Sequence, residues 1–260
     1  MKKLILFTII MVFYLLYTAS LAYPSSTYED PFTLYRDTYF IAGDKDGQVK
    51  FQLSTMVNLL YPFKSGAYIG YTQKSLWYLY EPSSPFIETN YQPEAFYRYE
   101  SNDNLFNIRL PFIDYIQISP ISHCSNGRDG EESRSTNKYY LEAQASYGNN
   151  YKIGINLQLF AYYGASLDNN PDIEKYTGHC TADIFFKLMS RTVDYLDKEE
   201  VHIRIGGTSL ERSWIETTFQ VRILSSRVQP KFYFQLYHGY GEFLIDYNKR
   251  ETAFRAGLGF

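Results

Sequence analysis

The stretch Lys138-Tyr139-Tyr140-Leu141-Glu142-Ala143-Gln144-Ala145-Ser146-Tyr147, followed after Asn149 and Asn150 by Tyr151-Lys152-Ile153-Gly154-Ile155-Asn156-Leu157-Gln158-Leu159-Phe160-Ala161, decides the fold class. Tyr139, Leu141, Ala143, Ala145 and Tyr147 alternate with Lys138, Glu142, Gln144 and Ser146. Tyr151, Ile153, Ile155, Leu157, Leu159 and Ala161 alternate with Lys152, Asn156 and Gln158. Successive side chains of a strand point to opposite faces, so a period of two reads as half-buried strand. Two such runs joined across Asn149 and Asn150 read as neighbouring antiparallel strands.

The same period recurs on both sides. Val49, Phe51, Leu53, Thr55, Val57, Leu59 and Tyr61 alternate with Lys50, Gln52, Ser54 and Asn58; Val201, Ile203 and Ile205 with His202 and Arg204; Ile215, Thr217, Phe219, Val221 and Ile223 with Glu216, Thr218, Gln220 and Arg222. A soluble sandwich alternates too, its apolar face turned to a second sheet. These runs have roughly 10 to 14 residues, enough to cross a bilayer at a tilt. The chain is 45% hydrophobic and 18% aromatic, with 27 Tyr and 19 Phe. Aromatic girdles at two membrane interfaces account for that excess. The fold class is therefore all-β, a twelve-stranded antiparallel transmembrane barrel. Its strands are expected near 32–43, 48–61, 67–80, 91–101, 105–123, 137–148, 151–163, 177–189, 200–208, 213–225, 231–240 and 251–260. If the first strand runs outward, the turns near Pro62–Gly66, Asn102–Asn104 and Asn149–Asn150 face the periplasm. The longer links 81–90, 124–136, 164–176 and 241–250 then face outside. Lys50, Gln52, Glu142, Arg204, Glu216 and Arg222 point inward as mixed charges that fill the lumen, which argues against a wide solute channel.

Residues 1–22 read as a secretory signal peptide, with Lys2 and Lys3 ahead of the apolar run Leu4 to Tyr17 and Ser20-Leu21-Ala22 as the cleavage site. That run falls short of the roughly 20 residues of a spanning helix. The barrel domain is then 23–260, and loss of two lysines takes the formal charge from −3 to −5. Nothing in that balance suggests nucleic acid as a partner. Of the two cysteines, the alternation puts Cys124 on the lumen face and Cys180 on the lipid face. A barrel wall separates them, so both are expected as free thiols. The last strand carries Phe254, Ala256, Leu258 and Phe260 on one face and Arg255 on the other. Its terminal Phe260 resembles the signal that outer-membrane barrels present to their assembly machinery.

The chemistry centres on Ser122-His123-Cys124-Ser125-Asn126-Gly127-Arg128. His123 and Ser125 share a strand face with Cα atoms about 7 Å apart. At that spacing an imidazole reaches a hydroxyl and serves as its general base. Asn137 opens the next strand, on the face of Tyr139, Leu141 and Ala143, where it could pair with His123 and fix the imidazole tautomer. In strand 105–123, Ile116 and Ile118 have one parity, Ile121 and His123 the other. A bulge at Pro120 reconciles them and turns His123 outward. Polar groups gathered on a lipid-facing surface are costly unless they have a task there.

Beyond these residues, the chain resembles the outer-membrane phospholipase A family. The likeness runs through Tyr71-Thr72-Gln73-Lys74-Ser75, Ser83-Ser84-Pro85-Phe86, Glu88-Thr89-Asn90-Tyr91, His123-x-Ser-Asn-Gly-Arg, Ser133-Arg134-Ser135 and Asn137. It continues through Asn170-Pro171-Asp172-Ile173 and Gly239-Tyr240-Gly241-Glu242 to Asp246-Tyr247-Asn248. The resemblance implies a twelve-stranded barrel in the Gram-negative outer membrane, with its active site at the outer leaflet. It implies a carboxylic ester hydrolase of the phospholipase A1/A2 type that cleaves acyl esters of phospholipids and lysophospholipids and needs calcium. It implies Ser125 as nucleophile, His123 as base and acid, and Asn137 as orienting residue. A backbone N–H at or just after Ser125 would serve the oxyanion. It further implies Ca2+ held by the Arg128 carbonyl, the Ser133 hydroxyl and, from a partner subunit, Ser83. The homodimer is then the active form, with Gln73 at its interface. The residues alone would instead select Asp129, Glu131 and Glu132 for calcium. The family commonly has Asp where this chain has Gly130, which puts a second calcium position in doubt. His179, His202 and His238 receive no metal. Two alternatives of other classes are a narrow barrel without enzymatic activity and an esterase acting on lipid A.

Overall fold

The computed structural model describes residues 31–43, 48–101, 103, 110–148, 151–164, 170–188, 199–223 and 230–260. The signal peptide expected over 1–22, and the turn residues Asn102, Asn104, Asn149 and Asn150, lie outside the described residues. The first barrel strand, β1, comes in two pieces, Phe32–Leu34 and Tyr39–Gly43. Both pair with the same edge of β2 (Gln48–Asn58), at Thr55–Val57 and at Val49–Gln52. Then follow β3 (Gly66–Tyr78), β4 (Phe86–Glu100), β5 (Ile113–Ser125), β6 (Ser135–Tyr147), β7 (Tyr151–Tyr162), β8 (Cys180–Leu188), β9 (Glu199–Gly207), β10 (Ser213–Arg222), β11 (Lys231–Gly239) and β12 (Glu251–Gly259). Each pairs antiparallel with its chain neighbour, and β12 closes on β1 with Arg255 opposite Gly43 and Gly259 opposite Tyr39. Phe260 N–H donates to Thr38 C=O at 2.8 Å just past that seam. The result is a closed, twelve-stranded barrel without free edges.

The alternation sorts the side chains as expected. Leu53, Ile69, Ile118, Leu141, Leu157, Ile184, Leu236 and Phe254 are exposed on the outer wall, where lipid solvates them. Lys50, Gln117, Gln220, Gln235 and Arg255 are almost fully enclosed. Enclosed charges are tolerable only when paired and hydrogen-bonded. Lys50 Nζ lies 2.9 Å from Glu242 and 3.4 Å from Glu216, and donates to Gln235 at 2.7 Å. Arg255 holds Glu242 with two bonds of 2.6 and 3.0 Å. Arg204 joins Glu216 at 3.1 Å to Asp183 at 3.3 Å.

Several boundaries differ from the expectation. Strand β1 breaks over 35–38 because Tyr35 and Arg36 turn into the lumen, toward the Tyr140 hydroxyl at 2.9 Å and Glu94 at 3.0 Å. Strand β4 starts at Phe86, five residues early; β5 runs from Ile113 among the described residues, and 105–109 of the expected strand lie outside them. The link after β7 carries a short helix, α1 (Ile173–Thr177). The link 240–250, at the end expected to face outside, folds inward over the lumen. Ile245 N–H donates to both Glu88 oxygens at 3.0 Å, and Lys74 donates to the Glu242 carbonyl. Leu244 and Tyr247 pack with Ile173, Tyr140, Phe160 and Tyr162 and close the outer end of the lumen.

Candidate active site

Strand β5 carries the expected bulge. Its register slips between Ser119 and Ser122 against β6, and between Ala95 and Tyr97 on the β4 side. Gln117 and Ser119 are buried before the slip and Ser122 after it, while Ile118 and Ile121 are exposed. The outward parity therefore switches at Pro120, and His123 and Ser125 look out of the wall. Cys124, between them, lines the lumen. Cys180 is exposed, and both thiols are free.

His123 stands opposite Asn137 across the β5–β6 ladder. His123 Nδ1 is 2.8 Å from Asn137 Oδ1. An amide oxygen only accepts, so Nδ1 carries the proton and Nε2 keeps its lone pair. That is the tautomer a general base needs. Among the described residues no hydrogen bond joins His123 to Ser125. Ser125 Oγ instead accepts from the Gly127 N–H at 3.2 Å. A rotation about the serine χ1 is enough to change its partner, and such contacts tighten with substrate.

The N–H that reaches Ser125 Oγ is that of Gly127. The Asn126 N–H is spent on the Arg134 C=O at 3.0 Å, whereas Gly127 turns with φ +65°. A Cβ on Gly127 would stand 2.9 Å from Cε2 of Tyr91, whose residue faces Ser125 from β4. Glycine is thus required twice, for its backbone and for the ring above it. Gly127 was in plain view in the motif; Tyr91 is brought there by the sheet.

The link from Asn126 to Arg134 is held by one buried side chain. Asn126 Nδ2 donates to the Glu132 C=O at 2.8 Å, and Oδ1 accepts the Arg134 and Arg128 N–H groups at 3.0 and 3.3 Å. The Arg128 guanidinium reaches Glu132 and the Ile87 C=O. The Arg128 carbonyl and the Ser133 hydroxyl accept no hydrogen bond among the described residues. Two free oxygens on a pinned loop suit a hard cation such as calcium. Ser83 is exposed in the 79–85 turn with φ +67°. Trp77 Nε1 donates to the Ser84 C=O and Ser84 Oγ to the Leu79 C=O, both at 2.9 Å, fixing that turn. No hydrogen bond joins Ser83 to Arg128 or Ser133 within the chain. Asp129, Glu131 and Glu132 are exposed, and Glu132 is taken by Arg128. Among the described residues no three His, Cys, Asp or Glu side chains converge as metal ligands. Gly130 has φ +64° with open space around it.

Gln73 lies on the outer wall between Leu53 and Tyr91. It accepts from the Tyr71 hydroxyl at 3.2 Å and donates to Ser75 Oγ at 3.4 Å, and Ser75 meets Thr89 at 3.0 Å. A hydrogen-bonded polar strip thus crosses an otherwise apolar wall beside the site. His202 sits in the lumen between Asp183 at 3.1 Å and Glu200 at 3.6 Å. His179 and His238 are exposed near strand ends and bond to the Phe160 C=O and the Thr252 hydroxyl.

A model of the family described as phospholipase A1 matches residues 6–260. Phospholipase A1 of Escherichia coli strain K12 is 34% identical over 221 residues, covering 82% of this chain and 68% of that protein. A putative phospholipase A1 of Neisseria meningitidis serogroup B is 31% identical over 218 residues, covering 82% of this chain and 53% of that protein. Among solved structures, outer membrane phospholipase A from Escherichia coli superposes with a TM-score of 0.69 at 26% identity, over 87% of this chain and 93% of that one. The Salmonella typhi outer membrane phospholipase dimer with bound calcium gives 0.70 at 26% identity, over 89% and 93%. By these matches and its closed twelve-stranded wall, the chain is an outer-membrane β-barrel belonging to the phospholipase A1 family.

Proposed function

We propose that this barrel hydrolyses acyl esters of phospholipids and lysophospholipids that reach it sideways from the outer leaflet. The observation that carries the reading is the 2.8 Å contact between His123 Nδ1 and Asn137 Oδ1 on the lipid side of the wall. It holds Nε2 unprotonated on the face that also carries Ser125. Nε2 takes the Ser125 proton as Oγ attacks the ester carbonyl. The Gly127 N–H supports the negative charge that develops on the carbonyl oxygen. His123 returns the proton to the departing alcohol, which leaves as the lysophospholipid. Water, deprotonated by the same Nε2, then cleaves the acyl-serine and frees the fatty acid. Asn137 is neutral, so it orients the ring without adding a full charge.

The same reading assigns calcium to the Arg128 carbonyl and Ser133 hydroxyl, with Ser83 of a second copy completing the set. Calcium bound there supplies positive charge close to the reacting ester. The calcium-bound dimer among the solved relatives supports this, as do the two free oxygens on the 126–134 loop. The polar strip around Gln73 supports a dimer interface, because an amide costs less against a partner's polar groups than against hydrocarbon. Residues 1–22 act as a signal peptide, and Phe260 serves recognition by the assembly machinery. The test is fatty-acid release from purified, refolded protein. Wild type with calcium releases fatty acid from diacylglycerophospholipid; Ser125→Ala and chelated wild type do not, while both stay folded. Hydrolysis by Ser125→Ala at the wild-type rate refutes the assignment, and preference for lipid A moves the substrate class.

A further inference from the structure

The inner faces of the two strand segments that carry His123 and Asn137 line a second, enclosed feature. Ser122 flanks His123, and Thr136 and Lys138 flank Asn137; all three line a cavity of about 160 Å³ under the inward-folded 240–250 link. Lys74 and Gln92 line it from β3 and β4, and these two with Ser122 and Lys138 also line the larger lumen cavity of about 590 Å³. Among the described residues Lys74 and Lys138 make no salt bridge, unlike Lys50, Arg204 and Arg255 further along the lumen, although the buried Glu88 carboxylate acts electrostatically on Lys74. Among the described residues Lys74 donates to the Glu242 carbonyl alone and sits over Phe243 at 4.7 Å. Lys138 lies over Phe160 at 4.3 Å and Tyr162 at 4.8 Å. The Glu242 carboxylate, also in the lining, is committed to Lys50 and Arg255. Ser122 and Thr136 are 3% and 2% exposed, yet neither hydroxyl has a hydrogen-bond partner among the described residues, nor does the Gln92 amide.

Two ammonium groups that make no salt bridge, in a cavity whose lining mixes them with Tyr162, Ile173, Phe243 and Leu244, are costly. A bound anion offsets that cost and accepts from hydroxyls and amide together. We propose that this outer end of the lumen is a binding site for a small oxyanion of the inorganic phosphate class, held by Lys74, Lys138, Ser122, Thr136 and Gln92. The site is separate from the lipid-facing chemistry and backs the ladder that carries it.

Inorganic phosphate is the probe. The full chain, refolded in detergent and kept in chelator, is titrated with sodium phosphate against sodium chloride of equal ionic strength. Calorimetric binding and thermal unfolding are both followed. Saturable phosphate binding is expected in wild type, with the unfolding temperature rising as the site fills. Lys138→Met is expected to weaken phosphate binding about tenfold or more, the worth of a charged hydrogen bond. Lys138→Arg keeps the charge and is expected to bind. Lys74→Met gives the same loss from the opposite wall, so a Lys138 variant that does not fold leaves the test standing. No saturable phosphate response beyond chloride means a water-filled cavity and overturns the proposal. So does undiminished binding in Lys74→Met or in a folded Lys138→Met.

Discussion

Replacing Asn137 by alanine removes a neutral hydrogen bond of 2.8 Å to His123 Nδ1 and nothing that touches the substrate. A neutral bond of this kind is worth about 0.5–1.5 kcal/mol. If that energy favours the reactive tautomer only, its loss lowers kcat roughly 2- to 12-fold, at about 1.36 kcal/mol per factor of ten. The β5–β6 ladder keeps the His123 backbone in place, so the loss is confined to the ring's orientation and tautomer. The assay is fatty-acid release from mixed micelles at saturating calcium, with kcat and KM read separately and the fold checked by heat-modifiable mobility. KM should hold while kcat falls. Asn137→Asp places a carboxylate at the same distance and raises the imidazole pKa. The base works only when neutral, so the acidic limb of the pH profile should move to higher pH. An unchanged kcat in Asn137→Ala refutes the orienting role; a loss beyond a thousandfold in a folded barrel refutes a role limited to orientation.

Gly127→Ala should lower kcat about 100-fold, the cost of one misplaced oxyanion donor, since its Cβ meets the Tyr91 ring at 2.9 Å; an intact kcat would move the oxyanion contact elsewhere. Asn126→Ala should raise half-saturating calcium about tenfold, as losses outside a metal's own ligands do, with kcat recovered at high calcium and binding followed by calorimetry. Lys50→Met should destabilise the barrel by about 3 kcal/mol, the low end for breaking an enclosed pair, because Arg255 still neutralises Glu242. Urea unfolding in detergent reads that change, and an unmoved midpoint would deny the network its structural part.

Period-two patterning made the barrel legible because lipid and lumen impose opposite polarity on neighbouring residues. It even located the bulge, since Ile118 and Ile121 share a face only if Pro120 absorbs a residue. The 240–250 link was not legible. Glu242 meets Lys50 and Arg255 only after twelve strands close, and no local pattern announces an inward fold. Tyr35 and Arg36 break β1 for the same reason, drawn by Glu94 and Tyr140 far along the chain. At the site, spacing and strand order bring His123, Ser125 and Asn137 together, whereas the roles assigned to them rest on the family resemblance. The use of the Gly127 N–H was not legible, because it depends on Asn126 spending its own N–H on Arg134.

The most direct measurement of the central claim is covalent capture from the membrane side. A long-chain alkanesulfonyl fluoride in the bilayer should sulfonylate one residue, Ser125, located by peptide mass spectrometry, and His123→Ala should abolish the labelling. Hydrolysis that continues while Ser125 stays unlabelled, or label found on another residue, would contradict a lipid-facing serine activated by His123.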